Sequence, residues 1–101
     1  MHNQHPLKVG DILVSSWGSD QTNIDYYQVT GLRGMTQVVI QEIGAATVHS
    51  SGSSDYTKPL PGYFLENSKP MVKIPRADGA IHLTSRIRAY PWDGMPNFHD
   101  S

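Results

Sequence analysis

Cysteine is absent from this chain, which removes disulfide staples, cysteine-ligated zinc or iron–sulfur centres and thiol nucleophiles together. A reducing, cytoplasmic setting is the expectation that follows. No stretch approaches the ~18 apolar residues a membrane span needs, and Met1-His2-Asn3-Gln4-His5-Pro6-Leu7-Lys8 has no apolar signal core. Neither export nor a membrane partner is therefore expected. An excess of charge of one sign is missing too. Eight Lys and Arg against nine Asp and Glu leave a formal net charge of −1, so any electrostatic recognition has to come from a local patch. Glutamate is scarce, with only Glu42 and Glu66, and there is no G-x-S-x-G elbow or phosphate-cradling glycine loop. The five histidines, His2, His5, His49, His82 and His99, lack H-x-x-x-H and H-E-x-x-H spacing. No catalytic residue, metal site or cofactor is assigned from these patterns.

Helical periodicity is also lacking. Nowhere does an i, i+3, i+4, i+7 apolar repeat persist for ten residues. What the 101 residues do contain is 38% hydrophobic and 17% charged side chains, enough apolar material for one folded domain and too little charge for a disordered chain. Ile12-Leu13-Val14-Ser15-Ser16-Trp17 reads as a first strand, with Leu13, Ser15 and Trp17 on one face. Ile24-Asp25-Tyr26-Tyr27-Gln28-Val29-Thr30 and residues 35–43 read as the second and third, joined by Gly31-Leu32-Arg33-Gly34 as a tight hairpin connection. The pattern weakens over 44–69, around Ser50-Ser51-Gly52-Ser53-Ser54 and Pro59, Pro61 and Gly62, which reads as a long excursion with room for one short element. Residues 71–77 and 80–90 flank Asp78-Gly79, a type I′ signal, and so predict a hairpin. In it Val72 and Ile74 would share a face with Ile81, Leu83, Ile87 and Ala89. The expected fold is all-β: a single domain over 1–101 of five to six short, mostly antiparallel strands with little helix. An SH3-like or OB-like barrel or a strongly bent sheet would satisfy it, with residues 1–8 and 96–101 as flexible tails.

Val9-Gly10-Asp11-Ile12-Leu13-Val14-Ser15-Ser16-Trp17-Gly18, continuing Asp20-Gln21-Thr22-Asn23-Ile24-Asp25-Tyr26-Tyr27-Gln28-Val29, resembles a family of small uncharacterised proteins encoded by bacteriophages, plasmids and other mobile elements. That family carries a G-D-[IL]-x-V-S-S-W-G-x-D-Q-T-N-x-D-x-Y-Q-V signature and a distal A-Y-x-W-D-G, matched by Ala89-Tyr90-Pro91-Trp92-Asp93-Gly94. The two blocks cover roughly a quarter of the chain. Ser19 stands where the signature usually has an aromatic, so a role needing a ring there does not transfer. The resemblance brings no activity. It implies a bacterial host cell and an accessory protein that binds and disables host machinery, restriction or CRISPR defences included.

Two surfaces compete as the site. The polar block Asp20, Gln21, Thr22 and Asn23 with Asp25, flanked by Trp17 and Tyr26 and joined by Tyr90, Trp92 and Asp93, would contact a host protein. The plainer reading of that block is a network of side-chain caps closing an irregular turn. A basic strand face, Lys73, His82, Arg86 and Arg88 beside Tyr90 and Trp92, would suit nucleic acid or a nucleotide, cations for phosphate and rings for bases. A solvated strand face is its plain counterpart. A small enzyme using Asp20 or Asp25 with His82 ranks third.

Overall fold

The computed structural model describes residues 6–18, 23–51 and 54–100. Eight strands follow one another: β1 (Ile12–Trp17), β2 (Asn23–Arg33), β3 (Gln37–Ser51), β4 (Ser54–Phe64), β5 (Met71–Lys73), β6 (Ile81–His82), β7 (Arg88–Pro91) and β8 (Asn97–Asp100). The described residues include no helix, and so none long and apolar enough to cross a membrane. All pairings are antiparallel, in the order β6-β7-β1-β2-β3-β4-β8, with β5 beside β3. The terminal strands β6 and β8 do not pair, so the sheet is open and of the two expected forms the closed barrel is not adopted. Register shifts in β2 at Val29/Gly31 and in β3–β4 at Ile43/Ala45 and Thr47/His49 act as bulges that bend and twist it.

Strand alternation builds two cores. On the inner face Leu13, Tyr27, Val29, Val38, Ile40, Ile81 and Ala89 form one buried cluster, with Met71 and Leu83 packed against it. Fully burying each large aliphatic side chain there is worth about 1.5–3 kcal/mol. On the outer face Tyr26 and Ile43 pair across β2 and β3, and both are buried. The Tyr26 hydroxyl donates to the Thr57 carbonyl at 2.9 Å and accepts from Asn97 Nδ2 at 3.2 Å, which ties β4 and the start of β8 over that face.

Several local expectations are corrected. Residues 44–69 are no excursion: 44–51 continue β3, and 54–64 return as β4 with Ser51 opposite Ser54. Ladder hydrogen bonds hold this pair despite its weak apolar pattern. The second turn falls at Gly34-Met35-Thr36, where Gly34 takes φ +59°, and Gly31 lies within β2 beside the bulge. The expected hairpin around Asp78-Gly79 is absent, because β5 pairs β3, and β6 pairs β7. Asp78-Gly79 instead makes a turn closed by Arg76 N–H to the Ala80 carbonyl at 2.8 Å and capped by Asp78 Oδ1 accepting from Ala80 N–H. The strand expected over 80–90 is cut where Thr84 Oγ1 accepts from the amides of Arg86 and Ile87, a side-chain turn that outcompetes the ladder. Val72 and Ile74 consequently lie exposed, while Ile81 and Ala89 are fully buried. Of the segments expected as tails, Leu7 is buried in the inner core and 97–100 form β8. Residues 1–5 and 101 lie outside the described residues.

Candidate functional site

The inner face is apolar at one end and polar at the other. Along β1 and β2 the facing pairs run Leu13 with Tyr27, Ser15 with Asp25, and Trp17 with Asn23. On β3, Glu42 faces Tyr27 and Ile40 faces Val29. Ser15, Trp17, Asp25, Tyr27 and Glu42 therefore share one end of one face, directly above the apolar cluster. Trp17 Nε1 donates to Asp25 Oδ2 at 2.7 Å, a diagonal bond across the ladder that fixes the half-exposed indole.

A cleft of about 380 Å³ opens there, lined by Tyr27, Glu42, Asn67, Ser68, Lys69 and Met71. Its far wall exists because β5 covers β3 only over Val38, Val39 and Ile40. Beyond that point the chain of 65–70 lies against β3 through Leu65 N–H to the Glu42 carbonyl at 3.2 Å. Gln41 Nε2 donates to Ser68 Oγ at 3.0 Å, and Ser68 Oγ donates to the Leu65 carbonyl at 2.6 Å, which hold that wall.

The cleft lining carries one carboxylate, Glu42, one phenol, Tyr27, and one ammonium, Lys69. Burial pushes the Tyr27 phenol up to about 12, with the negative charges of Glu42 and then Asp25 adding to the effect. Glu42 is also raised above the ordinary carboxylate range, first by burial and then by repulsion from Asp25. Ser15 Oγ is completely buried and makes no hydrogen bond. Among the described residues no group of three or more His, Asp or Glu could hold a metal ion.

The residues singled out from sequence divide between the two faces. Trp17, Asn23 and Asp25 come together on the inner face, while Asp20, Gln21 and Thr22 lie outside the described residues. Tyr26, Tyr90 and Trp92 belong to the outer face: Tyr90 pairs Val14, and the Trp92 ring meets Tyr26 edge-on at 6.4 Å and 80°. Trp92 Nε1 donates to the Met95 carbonyl, and Asp93 Oδ1 accepts from Met95 N–H, so this loop is a structural plug. A surface joining Trp17 to Trp92 is thus divided by the sheet itself. The basic set is divided as well. His82 faces Arg88 on the outer face, Arg86 sits in the Thr84 turn, and Lys73, opposite Val38, belongs by register to the inner face. Ser15, Tyr27 and Glu42 were not among the candidate site residues. The alternation Asp25, Tyr27 was visible, but the pairing of Tyr27 with Glu42 requires the register of β2 on β3.

Compared with family models, curated proteins and solved structures, the chain shows no match.

Proposed function

We propose that this chain is a non-enzymatic binding module that contacts and modulates a protein of the host cell, in the phage or mobile-element setting suggested by the motifs at 9–29 and 89–94. A defence component, of the restriction or CRISPR type, is the intended target class. The observation carrying this reading is Trp17. The residue is 41% exposed at the end of β1, yet its indole N–H is anchored to Asp25 at 2.7 Å. A large apolar contact surface held in place before association loses little conformational freedom on binding, which is the property of an interface anchor. By strand register the cleft at Tyr27 and Glu42 lies on the same face of the sheet as that anchor.

The test is capture from a bacterial host lysate on the full chain, followed by reconstitution with the purified partner. Binding at defined stoichiometry, lost in Trp17→Ala while circular dichroism stays native, is the expected result. A folded Trp17→Ala that keeps the partner refutes the surface, and failure to reconstitute any complex refutes the module. The dispersal of Lys73, Arg86 and Arg88 favours protein over nucleic acid. Anisotropy titrations with labelled DNA and RNA across a salt series should accordingly show no steeply salt-dependent binding.

A further inference from the structure

Asp-Gly occurs twice in the chain, at Asp78-Gly79 and Asp93-Gly94. This dipeptide lets an aspartyl side chain meet the next main-chain nitrogen with least hindrance, because glycine has no Cβ in the way. The two copies share a local form. In each the glycine takes a left-handed φ, +88° and +89°, and the aspartate Oδ1 accepts from the amide two residues on, at 2.9 Å from Ala80 N and 2.9 Å from Met95 N. Their surroundings differ. Gly79 N–H donates to the Arg76 carbonyl at 2.8 Å, and a methyl on Gly79 would meet Pro91 Cγ at 2.8 Å and Leu7 Cδ2 at 3.3 Å, so that peptide plane is held in place. Gly94 N–H makes no hydrogen bond among the described residues, nothing lies within 4 Å of where its Cβ would be, and Asp93, Gly94 and Met95 are all exposed. Only at 93–94 can the peptide plane turn its nitrogen toward the carboxyl carbon without breaking a main-chain hydrogen bond or displacing packed side chains.

We propose that Asp93 is a site of spontaneous modification, converting to isoaspartate through a cyclic imide, and that the conversion unseats Trp92. The Gly94 nitrogen attacks Asp93 Cγ; an N–Cγ bond forms as the nitrogen gives up its proton and the carboxyl its hydroxyl, which leave together as water. A water molecule then adds to one of the two imide carbonyls. Opening at the α-carbonyl breaks its bond to nitrogen, leaves the main chain running through Cβ and Cγ, and turns the former α-carbonyl into a free carboxylate. Water lost in the first step is regained in the second, so mass is unchanged and solvent is the sole co-reactant. The loop is built on the atoms that this step rewires. Trp92 Nε1 donates to the Met95 carbonyl at 2.8 Å and Met95 N–H donates to Asp93 Oδ1 at 2.9 Å, which hold the indole edge-on to the Tyr26 ring at 6.4 Å. In the isoaspartyl form the path from Trp92 to Met95 is longer by one carbon–carbon bond, roughly 1.5 Å. A hydrogen bond does not absorb a change of that size, so the indole loses its anchor beside Tyr26.

The decisive experiment ages the folded full chain at neutral pH and physiological temperature and follows tryptic peptides 77–86 and 89–101, which carry the two Asp-Gly sites separately. Isomers of unchanged mass are separated by chromatography and located by electron-transfer fragmentation. Isoaspartate is expected to accumulate at Asp93 about fivefold or more faster than at Asp78, since reaction at Gly79 must first break its hydrogen bond to Arg76. In urea, where neither site is folded, the two rates should converge. Asp93→Glu should abolish the product at 93 and leave that at 78 unchanged. In the ¹⁵N spectrum of the purified isomer the Trp92 indole N–H should move, while that of Trp17 on the other face stays. No isoaspartate at Asp93, equal rates in the folded chain, or a ratio that persists in urea would overturn the site. An unmoved Trp92 indole in the purified isomer would overturn its effect on the loop.

Discussion

Replacing Gly79 by alanine tests how the 76–80 turn is seated. A methyl group there would lie 2.8 Å from Pro91 Cγ and 3.3 Å from Leu7 Cδ2, and Gly79 has φ +88°. The left-handed backbone costs an alanine roughly 1–2 kcal/mol. Forcing a methyl into a packed site adds roughly 1–3 kcal/mol. The sum, about 2–5 kcal/mol, is a large fraction of the ~5–15 kcal/mol that holds a domain together. Gly94 supplies the control, because it has nearly the same angle, φ +89°, and nothing within 4 Å of the added methyl. Gly94→Ala should therefore lose only the backbone part. Urea unfolding at unchanged slope should separate the two variants by about 1–3 kcal/mol, the packing part alone. Pro91→Ala in the Gly79→Ala background should recover some of the difference, since the two residues touch. Equal losses at Gly79 and Gly94 would refute the idea that Leu7 and Pro91 clamp the turn.

The Tyr27 phenol, raised from 10.0 to about 12, should appear as a late phase in the tyrosinate ultraviolet titration that Tyr27→Phe removes. Because the folded value is the higher one, its contribution to stability is complete below pH 10 and is lost as pH rises through about 12. Glu42 is raised too, so its stabilising contribution is complete below the ordinary value of 4.5 and disappears as pH climbs through its folded value. Glu42→Gln should accordingly match or exceed wild-type stability at neutral pH, with the gap closing in acid; thermal melts showing the opposite trend would sink this assignment. Ser15→Ala removes a buried hydroxyl without a partner and should stabilise the chain by about 1 kcal/mol in chemical denaturation. Tyr26→Phe deletes the bonds to Thr57 and Asn97 and should cost about 1–3 kcal/mol. Amide exchange should quicken over 54–57 and 97–100 first; unchanged protection there would mean that the hydroxyl does not secure β8.

The strands beginning at Ile12 and Asn23 were legible because alternation over a few residues sets which side chains share a face. Register was not legible, since it depends on where the chain turns. A connection at 31–34 would set Tyr27 opposite Val38, whereas the turn at 34–36 together with the bulge sets it opposite Glu42. That shift of four residues assembles the cleft, and no local propensity encodes it. Pairing of β3 with β4 escaped notice for a related reason: alanine, threonine, histidine and serine over 45–51 show little apolar pattern, and a hairpin partner supplies their hydrogen bonds. Thr84 had the reverse effect, cutting a run of good strand formers through two hydrogen bonds from its hydroxyl. Trp17 and Asp25, placed in one polar segment by the sequence, are joined by a hydrogen bond across the ladder, while Trp92, grouped with them by aromatic character, lies on the other face of the sheet.

The margins of the open sheet carry a consequence for recognition. β6 offers two residues, β5 three and β8 four, and β8 covers β4 only over 54–57. The remaining stretch of β4 includes Pro59 and Pro61, which have no N–H to give. Among the described residues, another chain seeking to lengthen the sheet at β6, β5 or β8 meets strands of only two to four residues, the kind of short edge by which β-proteins resist fibril growth. Short edges of this kind give a peptide that relies on main-chain hydrogen bonds alone few residues to pair with, which leaves side chains such as Trp17 as the features by which a visiting protein would read the surface.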